Sequence, residues 1–211
     1  MQLRNVKRYL GLLIREAHKW QNTDIAGKEE KSKLWFSPLQ WLFILLSLGI
    51  SYSSGNFMEI DFVGYIIAAL SIFIGLFLSM IISIFDKFRT LDFAIQNMTE
   101  SKRAVLIKTK NYFKQFTTLT TYAILIAILT IVLLSVLFFT DFFNHSTNIY
   151  SIDLQNGSYL LFGKLSFIVI YRATILYFLM DFVYIVIMAV TSNYVYIYTE
   201  YNNTTIPERE D

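Results

Sequence analysis

Arg172 and Asp181 stand inside YRATILYFLMDFVY, residues 171–184, a run otherwise fit for hydrocarbon. An ionised side chain in such a run is costly unless it meets protein, water or a proton, so each is a candidate for function. They lie nine residues apart. On one straight helix that is about 13 Å along the axis and on opposite sides of it, so they do not pair with each other. Asp181 has hydroxyl-bearing company: Thr174, Tyr177, Tyr184 and Ser192, together with Met188, fall within about 60° of it at helical spacing. This stripe reads as a satisfied interhelical hydrogen bond or as the polar lining of a pore or cleft. A proton or cation relay would be one use of a lining. Relays usually carry more than one acid, however, and no other Asp or Glu falls within the apolar runs. Arg172 reads as an outer anchor, its long stem reaching headgroups or Asp141 and Asp153 of the preceding loop.

Other chemistry is poorly represented. There are no cysteines, which removes disulfides, thiolate catalysis, iron–sulfur clusters and cysteine zinc sites. His18 and His145 lie in distant segments, so neither a metal site nor a cofactor is expected. The chain has no HExxH, no glycine-rich nucleotide loop, no Ser/His/Asp set and no paired intramembrane aspartates. A lone carboxylate does not make the acid–base pair that hydrolysis usually needs. The expected protein is not an enzyme.

The elements that must hold these residues are apolar helices. Of the 211 residues, 55% are hydrophobic and 17% aromatic, and the mean hydropathy is +0.48. Four runs are of the length that crosses a bilayer, about 20 residues of helix: 34–52, 62–85, 119–140 and about 165–190. Lysines and arginines crowd residues 1–33 and 86–118. The loop SSGNFMEID has none and the 141–164 loop has only Lys164. By the positive-inside rule both termini and the middle loop are cytoplasmic. An all-α integral protein of the bacterial inner membrane is expected, with four transmembrane helices, cytoplasmic helical extensions and a small external β-hairpin. The hairpin is expected in NIYSIDLQNGSYLLFG, where Asn156-Gly157 suits a type I′ turn.

Outside the spans, Leu3, Val6, Leu10, Leu13, Ala17 and Trp20 recur at steps of three and four, one stripe of an amphipathic helix. Arg4, Lys7, Arg8 and Arg15 lie off it. Such a helix packs on the protein's own cytoplasmic helices, lies on anionic lipid or docks another protein. A linker then leads into the first span. Residues 86–118 read as a helical hairpin broken at NMTES, with Thr99 or Ser101 as a cap. Its Lys102, Arg103, Lys108 and Lys110 would face lipid phosphates or an acidic partner; direct nucleic-acid binding is not expected. Tyr194, Tyr196, Tyr198 and Tyr201 suit an interfacial aromatic belt, and 200–211 forms a polar cytoplasmic tail. In the second span Gly64, Ala68, Ser71, Gly75, Ser79 and Ser83 form a small-residue stripe. In lipid such a stripe permits close helix approach, either within the monomer or between subunits.

This layout of a basic amphipathic start, four spans, extended cytoplasmic helices and no catalytic residues resembles the small multi-span membrane subunits of prokaryotic antiviral systems. Those of Kiwa and of type VI CRISPR accessory membrane proteins are two. The resemblance implies a homo-oligomer working with a cytosolic protein partner, a nuclease or nucleic-acid-binding protein. The expected function is to sense or transmit membrane perturbation, or to open a pore. A small ion or solute transporter or channel centred on Asp181 and a non-transporting scaffold are the alternatives.

Overall fold

The computed structural model describes residues 3–23, 27–28, 37–53, 60–90, 100–139 and 159–203. They form five α-helices: α1 Leu3–Gln21, α2 Pro38–Ser53, α3 Ile60–Thr90, α4 Glu100–Phe139 and α5 Tyr159–Asn203. The helices distribute over two compact units. One gathers 1–32, 77–123 and 184–211; the other gathers 33–76 and 124–183.

Three helices are long and apolar enough to cross a membrane: α3, α4 and α5. The expected fourth crossing, 34–52, is not among them, because α2 has only 16 residues, about 24 Å of helix against a hydrocarbon core of about 30 Å. Its start explains this. Ser37 and Gln40 form a reciprocal capping box: Gln40 N–H donates to Ser37 Oγ at 3.2 Å, and Ser37 N–H donates to Gln40 Oε1 at 3.0 Å. Pro38 occupies the first helical position, where its missing N–H costs nothing. The apolar run begins at Leu34, but the helix begins four residues later. α5 departs in the other direction, starting at Tyr159 rather than Leu165. Residues 159–163, expected in the external hairpin, are therefore helical; the hairpin's remaining residues lie outside those described. The second and third apolar runs do continue as helix beyond their ends, as α3 runs to Thr90 and α4 starts at Glu100. Thr99 lies outside the described residues, as does the tail from 204 onward.

In the first unit, α1, α3, α4 and α5 bury Ala17, Trp20, Phe77, Tyr112, Phe113, Phe116, Leu119, Ile185 and Ala189. A polar network crosses this core. Gln115 Nε2 donates to the carbonyls of Trp20 at 3.1 Å and Thr23 at 3.0 Å, and Gln115 Oε1 accepts from Ser192 Oγ at 3.0 Å. The two carbonyls belong to the end of α1, where the last turn of a helix has no intrahelical donors. One side chain of α4 thus caps α1 and holds α5. Beside it Tyr112 donates to Asn193 Oδ1 at 2.7 Å and stacks on Tyr196, with centroids 4.1 Å apart. Tyr196 therefore packs inward, while Tyr194, Tyr198 and Tyr201 remain exposed as a belt would require.

Gln115→Leu would leave two carbonyls and a hydroxyl without their amide. A loss of about 2 kcal/mol or more is expected, read as a lower denaturation midpoint of the detergent-purified protein. Ser192→Ala should cost less, about 1 kcal/mol, because the capping of α1 survives it.

Candidate functional site

The second unit is built with its polar residues inward. Gln40, Ser47 and Ser51 recur on one face of α2 and are 1%, 2% and 0% exposed, whereas Leu39, Trp41, Leu42, Leu45, Leu46 and Leu48 are exposed. This inverts the pattern of a helix in water and suits one whose outer face meets hydrocarbon. Thr130 on α4 and Arg172 and Asp181 on α5 join the interior, at 0%, 2% and 2% exposure. Thr130 donates to its own helix at Ile126 O, 2.8 Å away. Ser51 Oγ has no hydrogen-bond partner among the described residues.

Asp181 sits where α2 begins. Gln40 Nε2 donates to Asp181 Oδ1 at 3.2 Å. The same amide caps its own helix through Oε1, so one side chain fixes both the start of α2 and the register of α2 against α5. Phe182, next in sequence, meets Phe73 of α3 edge to face with centroids 5.7 Å apart. Of the two readings of the acid, this geometry is that of an interhelical hydrogen bond.

The stripe drawn around Asp181 divides between the two units. Ser192 is buried in the other unit, on Gln115. Thr174 is half-buried and donates to Ile170 O at 2.8 Å. Tyr177 is half-buried and packs against Phe178 with centroids 5.7 Å apart. Tyr184 is half-buried and belongs to the first unit. Gln40 was missed by sequence reasoning, although the capping box in SPLQ placed its side chain at a helix start.

Arg172 is not at a lipid-facing edge. It lies thirteen residues after Tyr159, the start of α5, and its side chain is buried, so it does not snorkel. Asp141 and Asp153, its expected partners, lie outside the described residues. The preceding residue, Tyr171, donates across to Leu133 O of α4 at 2.8 Å.

The small-residue stripe of α3 faces outward. Gly64, Ala68, Ser71, Gly75, Ser79 and Ser83 are all exposed, and a methyl group at Gly64 or Gly75 would meet nothing within 4 Å. Among the described residues, no neighbouring helix covers this stripe. α3 packs instead through Val63, Leu70 and Phe77, spaced by seven. Ser71 and Ser83 return their hydroxyls to Ile67 O and Ser79 O, so their polarity is met within the helix.

On α1 the expected stripe is only partly used. Ala17 and Trp20 are buried, at 0% and 5% exposure, but Val6 and Leu10 of the stripe are exposed, as are Tyr9, Leu12 and Ile14 off it. Arg4, Lys7, Arg8 and Arg15 are exposed as well, as are Arg103, Lys108 and Lys110 on α4. Of Lys102 only its place in α4 is described. Glu16 turns inward to meet Lys114 Nζ at 3.2 Å, and that ammonium also lies 5.6 Å from the centre of the Trp20 ring. Among the described residues no cluster of three metal-ligating side chains occurs.

A double-mutant cycle tests the tie at Asp181. Gln40→Leu and Asp181→Leu should each destabilise by about 1–3 kcal/mol, because each leaves a buried partner unmet. The double variant should cost clearly less than their sum; additive losses in denaturation would show that the two do not act together. No family model, curated protein or solved structure matches this chain.

Proposed function

We propose that this chain is a non-enzymatic, oligomeric inner-membrane protein that senses the state of the cytoplasmic leaflet through α1 and transmits it to a cytosolic protein partner, in the manner of the antiviral membrane subunits its layout resembles. The observation that carries the reading is the divided character of α1. Its first turns expose Val6, Tyr9, Leu10 and Leu12 between exposed Arg4, Lys7 and Arg8, while its end is capped by Gln115 and packed through Trp20. An amphipathic helix with basic flanks and unburied apolar residues partitions into an anionic interface. Here the helix is also fastened to α4, and through Ser192 to α5, so a change in α1 is felt by both.

The topology proposed is four crossings, with α2 the short one and both termini cytoplasmic. It is supported by the grouping of residues 1–32, 77–123 and 184–211 into one unit, since these are the lysine- and arginine-rich segments and the C-terminus. Oligomerisation is proposed through α3. In its most apolar stretch only 11% is buried, against 39% and 33% in α4 and α5, and its small-residue stripe is left open for a close approach by a second copy. Transport through Asp181 is the weaker reading, because that carboxylate is buried on Gln40.

The chain has no cysteine, so a single one introduced as Leu12→Cys carries a nitroxide cleanly. In proteoliposomes containing anionic lipid the label should show the oxygen accessibility of the headgroup–acyl boundary; accessibility typical of bulk water would overturn the sensing role of α1. Separately, Gly75→Leu should shift the purified protein toward a lower mass in light scattering coupled to gel filtration. A wild-type protein that already runs as a monomer would remove the oligomer.

A further inference from the structure

A groove in the first unit has the polarity of a lipid. It has a volume of about 340 Å³ and is lined by Ile84, Phe85 and Phe88 of α3 with Lys110, Phe113, Lys114, Thr117 and Thr118 of α4. That volume falls at the lower end of ligand-site sizes, about 300–1,000 Å³. Phe88 and Phe113 meet edge to face across it, with centroids 5.5 Å apart, and fix the level at which the two helices pass. The rest of the lining then sorts by depth. Ile84, Phe85, Thr117 and Thr118 lie toward the apolar stretches of α3 and α4. Lys110 lies at the opposite end, and Lys114, one turn deeper than Lys110, shares its face of α4.

Two lysines of α4 border the groove. The Lys114 ammonium meets Glu16 and lies over the Trp20 ring, while its side chain remains 57% exposed. Lys110 is exposed, and Arg89, outside the lining, lies 5.9 Å from the centre of the Phe85 ring that borders the groove. An inorganic anion would have no use for the phenyl and isoleucine floor, and a plain hydrocarbon would have no use for the cations.

We infer that this groove binds one anionic phospholipid, its phosphate bridging Lys110 and Lys114 and one acyl chain lying against Ile84, Phe85 and Phe113. Basic pockets beside membrane helices on the cytoplasmic side take such headgroups. The site rests on the membrane reading of α3 and α4, and not on the role of α1 or on oligomerisation.

The test is native mass spectrometry of the detergent-purified full chain titrated with dioleoylphosphatidylglycerol or dioleoylphosphatidylcholine. The expected result is retention of the glycerol lipid about tenfold more strongly than the choline lipid. Lys110→Gln, a surface change, should lose most of that preference with unaltered thermal unfolding. Ile84→Trp, which fills the groove, should weaken both lipids. Equal retention of the two lipids would overturn the site. So would wild-type binding by both variants, or complete displacement of the lipid by millimolar inorganic phosphate, which would mark a simple anion site.

Discussion

A buried primary amide has two donors and an acceptor to satisfy, and it is tolerated in a helical interior only where neighbouring helices supply partners at fixed positions. Two such amides organise this chain. Gln115 answers the open carbonyls at the end of α1 and takes the hydroxyl of Ser192. Gln40 closes the first turn of α2 and reaches Asp181. Each therefore joins a local task, the capping of a helix end, to a long-range one, the positioning of a second helix. The apolar contacts around them are numerous but not directional; the amides select one register among those that would bury similar area.

The distribution of exposed side chains describes the surroundings this protein needs. α2 turns leucine and tryptophan outward and keeps glutamine and serine inside, and α3 leaves most of its apolar length uncovered. In water both faces would be aggregation surfaces. In hydrocarbon they are ordinary, and association must then depend on packing shape and polar contacts rather than on the hydrophobic effect. The first unit is different. Phe113, Phe116, Tyr112 and Trp20 form a core of the kind found in aqueous domains, ringed by exposed lysine and arginine. One chain thus uses two packing regimes.

The long helices were legible from hydropathy, because nothing else sustains apolar runs of that length. Their ends were not, since an apolar run and a helix stop for different reasons. Leu34 to Ser37 continues the apolar run, yet Ser37-Pro38 sets the start of α2, a local signal that overrides hydropathy. The burial of Asp181 was legible from the cost of its charge. Its partner was not, because Gln40 lies 141 residues away and carries no periodicity that points at α5. The outward face of the α3 stripe was illegible for a related reason. When both sides of a helix are apolar, periodicity no longer distinguishes inside from outside, and Val63, Leu70 and Phe77 look no more buried than Phe62 or Leu76. The burial of Arg172 was not legible, because its stem permits several depths and the choice between them depends on packing.

The separation of Gln40 from Asp181 also has a consequence for biogenesis. At translation rates of about 5–20 residues per second, the ribosome reaches residue 181 on the order of ten seconds after residue 40. Through that interval α2 has its leucine face ready for lipid and its amide without the carboxylate that will hold it. On the four-crossing topology proposed above, the nascent chain must keep that polar face in the insertion machinery or at the interface until α5 is made. For a helix this short, the order of synthesis sets how long it waits before it can settle.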